Sequence, residues 1–245
     1  FTSVDAMVAV YAYAIQIYAD FSGYSDIAIG SAQLLGFKVP ENFKHPYLAQ
    51  DCRELWTRWH ISLSSWLRDY LYIPLGGSRH GQRRTYINLA ATMLLGGLWH
   101  GAANTFIVWG ALHGGALAVT RWYQRRFPTA EAAETQTWRI WLNRLLTFHF
   151  VCLAWIFFRS PDFATATEML GTIGAGDLGL SLSRKPVLLV AVGLLMHFGH
   201  GQDDGATLAR FVALPPFTHS IIAFATVGIV GMASRVAAPF IYFQF

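Results

Sequence analysis

The chain has 245 residues, of which 54% are hydrophobic, 15% aromatic and only 13% charged. Soluble globular domains carry about 25% charged residues, so this sequence lacks the polar surface that a water-exposed fold needs. The mean hydropathy of +0.36 agrees. The net charge of +4 is small, and its basic residues lie in patches at the ends of apolar runs. That placement is typical of membrane-protein loops and not of a nucleic-acid-binding face, so we expect membrane lipid as a partner and no nucleic acid.

The first apolar run starts almost at the first residue, Phe1, and we expect further N-terminal helices in the full protein. Crossing a hydrocarbon core of about 30 Å takes about 20 helical residues. Residues 4–19 are predicted to form one such helix. A break at residues 21–25 and a second, small-residue helix over 27–35 are predicted to follow. Residues 37–50 are predicted to form a polar loop.

Residues 51–71 combine apolar side chains at helical spacing with frequent charges. Arg53, Glu54 and Arg58 interrupt the apolar pattern too often for a membrane span. The pattern therefore predicts one amphipathic helix that lies at the membrane surface.

The apolar stretch over residues 85–120 is too long for one span, because 36 helical residues would measure about 54 Å. Arginine clusters flank it on both sides (Arg79, Arg83 and Arg84 before it; Arg121, Arg125 and Arg126 after it). If both clusters are cytoplasmic, the chain must return to the same face. The stretch therefore predicts a helical hairpin whose turn lies near residues 99–102, with His100 at its deep end.

After a linker at residues 128–137, the sequence predicts a helix over 138–158. Residues 160–184 are predicted to form a loop with a short amphipathic turn at 163–170, and two last helices are predicted over 187–198 and 217–233. The fold class predicted from these elements is all-α: a polytopic transmembrane helical bundle with amphipathic or re-entrant helices.

Six of the nine histidines lie in or beside apolar runs. An ionisable group inside a membrane indicates a functional site, although a single histidine is also commonly a packing residue. His149 lies on a different predicted helix from His100, and we predict that the two meet at depth as the site. His113 shares a helix face with Trp109, at positions i and i+4, which indicates a packing or gating residue.

Competing chemistries have weaker support in the sequence. The motifs of serine hydrolases, zinc proteases and nucleotide-binding loops are absent from it. Cys152 follows His149 by three residues, but an apolar setting raises the pKa of a thiol, so a Cys–His dyad is disfavoured. His197 and His200 lack a third ligand, and no metal site is expected. Cys52 and Cys152 do not form a CxxC pair and are interpreted as reduced packing residues.

Four segments resemble one known family: residues 18–26 (YADFSGYSD), 54–77 (ELWTRWHISLSSWLRDYLYIPLGG), 97–102 (GLWHGA) and 239–245 (PFIYFQF). They are similar to the alginate O-acetyltransferase branch of the membrane-bound O-acyltransferases, and the similarity runs essentially from residue 1 to residue 245. Proteins of this branch are about twice as long. The resemblance therefore implies that residues 1–245 are the C-terminal part of a single membrane-bound O-acyltransferase domain.

The resemblance implies a helical fold with a central tunnel, in the bacterial inner membrane and crossing it several times. It implies transfer of an acyl group, usually acetyl, from a cytoplasmic donor (acetyl-CoA or an acyl carrier, with no bound cofactor) to an exported polysaccharide such as alginate. A periplasmic esterase-like acetyltransferase is the implied partner.

The family's two site positions fall on His100 and His149; in distant relatives the first position can be Asn or Asp. We hypothesise that His149 is the general base, while His100 polarises the acyl carbonyl or holds the acceptor. The other residues predicted to line the tunnel or contact substrate are Trp59, His60, Arg68, Asp69, Trp99, Asn104 and His113. Two alternatives stay open: a non-catalytic or truncated scaffold, and a transporter that uses its histidines as a proton relay.

Overall fold

A computed structural model describes residues 1–128, 136–199 and 209–233. Within these ranges the chain consists of helices joined by loops, with one isolated β-bridge between Phe43 and Trp59. A 3₁₀ turn (Pro46–Leu48) precedes the second helix, and a π-helical turn (Arg68–Tyr72) follows the third. The α-helices of the described residues are α1 (Ser3–Leu34), α2 (Cys52–Arg58), α3 (Ile61–Leu67), α4 (Gly81–His100), α5 (Asn104–Arg126), α6 (Thr137–Arg159), α7 (Phe163–Gly174), α8 (Arg184–Gly199) and α9 (Pro216–Ala233).

Helix α1 is continuous over 32 residues, so the predicted break at residues 21–25 is wrong. The hydroxyls there find partners without leaving the helix, because Ser22 donates to the Ala19 carbonyl and Ser25 accepts from the amide of Asn42. Phe21 packs edge-on against Phe43 and His60. These contacts stabilise residues 21–25 in a helical conformation, although their sequence predicted a break.

The single amphipathic helix predicted over residues 51–71 is also wrong, because the chain leaves the helix at Trp59 and His60. Trp59 is extended, and His60 adopts a left-handed conformation with φ 42° and ψ 57°. The loop before α2 supplies the competing hydrogen bonds. The Lys44 N–H donates to the Arg58 carbonyl, and the Ile61 N–H donates to the Asn42 carbonyl.

The hairpin predicted over residues 85–120 is confirmed: α4 ends at His100, α5 begins at Asn104, and the two helices pack along their lengths. Glycines allow this close approach. A Cβ at Gly97 would lie 2.3 Å from the Phe106 carbonyl oxygen, and one at Gly110 would lie 2.5 Å from that of Met93. The two arginine clusters consequently lie at the same end of the hairpin, opposite His100.

Helix α6 matches the predicted segment 138–158 to within one residue at each end. It has 23 residues and contains an 18-residue window with a mean hydropathy of 1.5, and it is the helix of the described residues that is long and apolar enough to cross a membrane. Helix α7 extends past the predicted turn at 163–170 to Gly174, and α8 and α9 cover the two last predicted runs. The polytopic arrangement stays a prediction. Most of the predicted linker, residues 129–135, and the C-terminal motif at 239–245 lie outside the described residues.

The core lies where α1, α5 and α6 meet the extended residue Trp59. Aromatic side chains dominate it, and the Trp59 ring lies 5.2 Å from Trp155 of α6 and 6.4 Å from Tyr18 of α1. Trp109 of α5 completes this cluster, at 6.2 Å from Trp155. The predicted site histidines lie at the edges of this aromatic core.

Candidate active site

His149 lies near the middle of α6 and has hydrogen bonds at both ring nitrogens. Nδ1 lies 2.8 Å from the Leu145 carbonyl oxygen, one turn earlier, and Nε2 lies 2.8 Å from the Tyr11 hydroxyl of α1. A carbonyl only accepts, so Nδ1 carries the proton, and in the neutral ring Nε2 accepts from Tyr11. The half-buried imidazole thus presents a basic nitrogen of fixed tautomer toward α1.

His100, the last residue of α4, lies in a different environment made of aromatic rings. Its ring centroid lies 4.8 Å from Trp99, 4.9 Å from Phe158 and 5.2 Å from Trp109, each in an edge-to-face arrangement. Rings from α4, α5 and α6 therefore fix the position of this imidazole at the turn of the hairpin.

The structure places His100 and His149 at different levels of the bundle. His100 packs against Phe158, which follows His149 by nine residues on α6. Nine helical residues span about 13 Å along the axis and about half a turn around it. His149 thus lies near the middle of the apolar helix and His100 near its C-terminal end, which differs from the expected meeting at one depth. Trp155, whose ring lies 5.1 Å from that of Phe158, lies between the two levels on α6.

His113 lies deeper in the core than its predicted gating role suggested. Its side chain is 2% exposed, and neither ring nitrogen has a hydrogen-bond partner among the described residues. It packs against Trp109 at 4.7 Å, as the i, i+4 spacing predicted, and against Phe150 at 5.4 Å. Trp109 therefore contacts both His100 and His113 and links the two imidazoles.

Three further predicted residues lie on the His100 side of the molecule. His60 packs against Phe21 at 4.6 Å and lies 6.4 Å from Trp99, the neighbour of His100. Burial lowers the pKa of His60 to about 4, so its imidazole is neutral. Trp59 is buried beside it, whereas Trp99 is half exposed.

Arg68, Asp69 and Asn104 are exposed. Arg68 binds the carboxylate of Asp69 with two hydrogen bonds, at 2.7 and 3.0 Å, and this contact lowers the pKa of Asp69. Asn104 is the first residue of α5, four residues after His100. Arg68 and Asp69 thus pair with one another at the surface. Their role in lining the tunnel stays a prediction.

A polar cavity that the sequence did not predict lies between α1, α2 and the loop before α2. It has a volume of 720 Å³, and its wall contains the ion pairs Arg58–Glu54, at 2.7 Å, and Lys44–Glu41, at 3.4 Å. Asp26 adds a third carboxylate to this wall, while His100 and His149 do not line it. The lining residues come from three separate segments, so no single local sequence pattern predicts the cavity.

His197 of α8 and Tyr11 of α1 are site residues that sequence reasoning missed or undervalued. The Tyr47 N–H donates to His197 Nε2 at 3.2 Å, and the His197 ring lies 4.8 Å from Tyr18. His197 is thus held by protein groups beside the polar cavity; His200 lies outside the described residues. Within the described ranges, no group of three potential metal ligands comes together. Tyr11 lies within an apolar run, so no sequence pattern indicates its contact with His149.

A hydrogen-bonded histidine inside a helix that is apolar enough to cross a membrane is typical of membrane proteins with buried polar sites. Comparison with known families makes the class specific. Residues 2–160 match the model of the membrane-bound O-acyltransferase family. The chain belongs to the membrane-bound O-acyltransferase family.

Three relatives illustrate the similarity. The “Probable alginate O-acetylase AlgI” of Pseudomonas putida is 40% identical over 278 aligned positions, which cover 100% of this chain and 54% of the relative. That of Pseudomonas syringae is 47% identical over 81% of this chain and 39% of the relative. A “Peptidoglycan O-acetyltransferase” of Helicobacter pylori is 43% identical over 72% of this chain and 33% of the relative. The chain thus spans about half the length of these relatives or less.

Proposed function

We propose that the full protein is a membrane-embedded O-acyltransferase that passes an acyl group, acetyl in the first instance, across the membrane for O-acetylation of an exported polysaccharide such as alginate. The observation that carries the proposal is the His149 imidazole, which lies near the middle of the apolar helix α6 with its tautomer fixed by hydrogen bonding. The family match covers this residue. The names of the relatives, an alginate O-acetylase and a peptidoglycan O-acetyltransferase, support a polysaccharide acceptor.

In the proposed mechanism His149 is the general base. The Leu145 carbonyl keeps the proton on Nδ1, so the Nε2 lone pair is available to accept a proton from the attacking hydroxyl, at the place where Tyr11 now donates. As that proton moves to Nε2, the hydroxyl oxygen bonds to the acyl carbon and the bond to the donor breaks. The imidazolium then returns the proton to the leaving group.

His100 has a separate role in this proposal. His100 packs against Phe158, which lies about 13 Å along α6 from His149. This placement supports action at a second position on the path of the acyl group, and not on the atom that His149 deprotonates. His100 would hold the acceptor or polarise the acyl carbonyl there, within its enclosure of aromatic rings.

The direction of transfer and the partners complete the proposal. Both arginine clusters lie at the hairpin end away from His100, and such clusters mark the cytoplasmic side of membrane proteins. The donor, acetyl-CoA or an acyl carrier, would therefore enter from that side of a multi-pass inner-membrane protein. A periplasmic esterase-like acetyltransferase would receive the group at the other side.

Incorporation of labelled acetate into extracellular polysaccharide tests the function in cells with and without the full-length gene. We expect label in the polysaccharide only when the gene is present. Equal labelling in both strains would refute acetyl transfer. Substrate or proton flux through proteoliposomes without any acyl donor would instead favour the transporter.

A further inference from the structure

A second cavity opens between α1, α6 and α7, apart from the polar one. It has a volume of 360 Å³, the size of a small ligand site, and most of its wall is apolar. Ala9 and Val10 of α1, Ile156 of α6 and Met169 of α7 contribute this apolar surface. The cavity therefore suits a molecule with a substantial hydrocarbon part.

Arg159 is the one charged residue among the described residues that line this cavity. Its guanidinium lies 5.9 Å above the ring of Tyr13, which also lines the wall. No ion pair joins Arg159 to a carboxylate of the described residues. A cation with several hydrogen-bond donors thus stands at an apolar cavity without an anionic protein partner.

Tyr13 contributes ring surface to the same wall. Its side chain is 8% exposed, and its hydroxyl is buried without a hydrogen-bond partner within the described ranges. Because that hydroxyl is enclosed by protein, Arg159 is the group on this wall that a ligand can pair with. A ligand that supplies an acceptor oxygen would give the guanidinium the partner that a charged group needs.

The position of the cavity along α6 narrows the choice of ligand. Arg159 is the last residue of the helix that is apolar enough to cross the membrane, and arginines at that position lie at the level of the lipid headgroups. It lies at the His100 end of the bundle, since Phe158 packs against His100. The arginine clusters lie at the other end of the hairpin.

The geometry points to a binding site for one anionic phospholipid in the leaflet at the His100 end of the bundle. Its phosphate would accept hydrogen bonds from the Arg159 guanidinium, and its glycerol and upper acyl carbons would fill the apolar part of the cavity. A polyanionic nucleotide cofactor fits poorly, because the wall offers one cation and little polar surface. Free phosphate could use the same donors but would leave the apolar walls uncovered.

The test uses the full-length protein in detergent and measures binding of phosphatidylglycerol and phosphatidylethanolamine by native mass spectrometry. Arg159→Gln removes the charge, and Tyr13→Phe removes only the hydroxyl. We expect the preference for phosphatidylglycerol over phosphatidylethanolamine to fall about tenfold in Arg159→Gln, as for loss of a charged hydrogen bond. We expect it to be unchanged in Tyr13→Phe, because the Tyr13 hydroxyl is enclosed by protein.

Arg139→Gln is the matched control, because Arg139 lies near the opposite end of α6 with its guanidinium over Trp138. We expect this variant to bind as the wild type does. Equal loss in Arg139→Gln and Arg159→Gln would show general surface attraction and overturn the site, as would equal wild-type binding of the two lipids. Inorganic phosphate should not displace the lipid at equal concentration, and displacement would show that the site recognises phosphate alone.

Discussion

His149 and His100 lie in different surroundings. His149 has hydrogen bonds at both ring nitrogens, to the Leu145 carbonyl of its own helix and to the Tyr11 hydroxyl of α1. Aromatic rings from three helices pack around His100 at the turn of a glycine-packed hairpin. The hydrogen bonds define the tautomer of His149, and the ring packing helps to define the position of His100. This difference agrees with the proposed roles, proton transfer at His149 and substrate placement at His100.

The largest expected effect tests the first half of this comparison. His149→Ala in the full-length protein should lower acyl transfer by about 10²–10⁴-fold, the usual contribution of a general base. Labelled acetyl transfer by membranes with equal protein levels is the measurement. His219→Ala is the control and should transfer normally, because within the described ranges His219 bonds to the Phe211 carbonyl near its own helix α9 and contacts neither candidate site histidine. Full activity of His149→Ala would remove the general base from the mechanism.

The substitution His100→Phe tests the role proposed for His100, because phenylalanine keeps the aromatic packing and removes both ring nitrogens. If His100 polarises a carbonyl or binds the acceptor, the rate should fall about 10²-fold, as when one donor to a developing oxyanion is lost. The same transfer assay, with His100→Ala beside it, separates the polar role from packing. A fully active His100→Phe with an inactive His100→Ala would make His100 a packing residue.

The hairpin that carries His100 depends on contact between helix backbones. Gly110→Ala places a Cβ 2.5 Å from the Met93 oxygen and 3.1 Å from the Leu94 Cα, and should lower the free energy of unfolding by about 1–3 kcal/mol. Gly115→Ala is the matched control on the same helix, because its Cβ meets nothing within 4 Å. It should leave stability unchanged or raise it by up to about 1 kcal/mol. Thermal unfolding in detergent measures both, and equal effects would contradict the close packing.

Tyr11→Phe removes the hydroxyl at His149 Nε2 and keeps the ring contact with Phe148 at 5.8 Å. Before the acceptor takes its place, this hydrogen bond keeps the imidazole oriented for binding. Loss of one neutral hydrogen bond, about 1 kcal/mol, should therefore reduce transfer about fivefold, because the base is less well oriented when the acceptor arrives. The matched substitution Tyr123→Phe, at an exposed tyrosine of α5, should have no effect. A Tyr11→Phe protein as active as the wild type would show that Leu145 alone orients the ring.

The smallest expected effect concerns the cap of α7, away from both histidines. The Thr165 N–H donates to Asp162 at 2.7 Å and lowers the pKa of its carboxyl. A lowered folded-state pKa stabilises the fold above the unfolded value of about 3.9 and loses this contribution as the pH falls through the folded-state pKa. Asp162→Asn keeps a capping side chain without the charge. Its unfolding temperature should therefore fall slightly less than that of the wild type below about pH 4.

Much of the fold was predictable from local pattern. The run of apolar residues predicted α6, and the two arginine clusters around a 36-residue apolar stretch predicted the α4–α5 hairpin. The failures were at residues 21–25 and 51–71. There the outcome depends on Asn42 and Lys44, which lie far along the chain and bond to Ser25, Arg58 and Ile61. Local propensity does not contain such partners.

For the candidate site, the sequence identified His100 and His149 as residues of interest through their apolar surroundings and their motifs. The Tyr11–His149 hydrogen bond joins residues 138 positions apart, and the polar cavity gathers three separate segments. Neither has a local signature.

The sequence by itself determined that this protein is helical, apolar and a member of an acyltransferase family, because hydrophobic periodicity and long motifs are local properties of the chain. Only the tertiary structure decided that the two histidines lie at different depths, that His60 leaves the helix and that Arg159 stands over Tyr13. Those outcomes depend on contacts between distant segments, whose free energies outweigh the small local preferences for continuing or ending a helix.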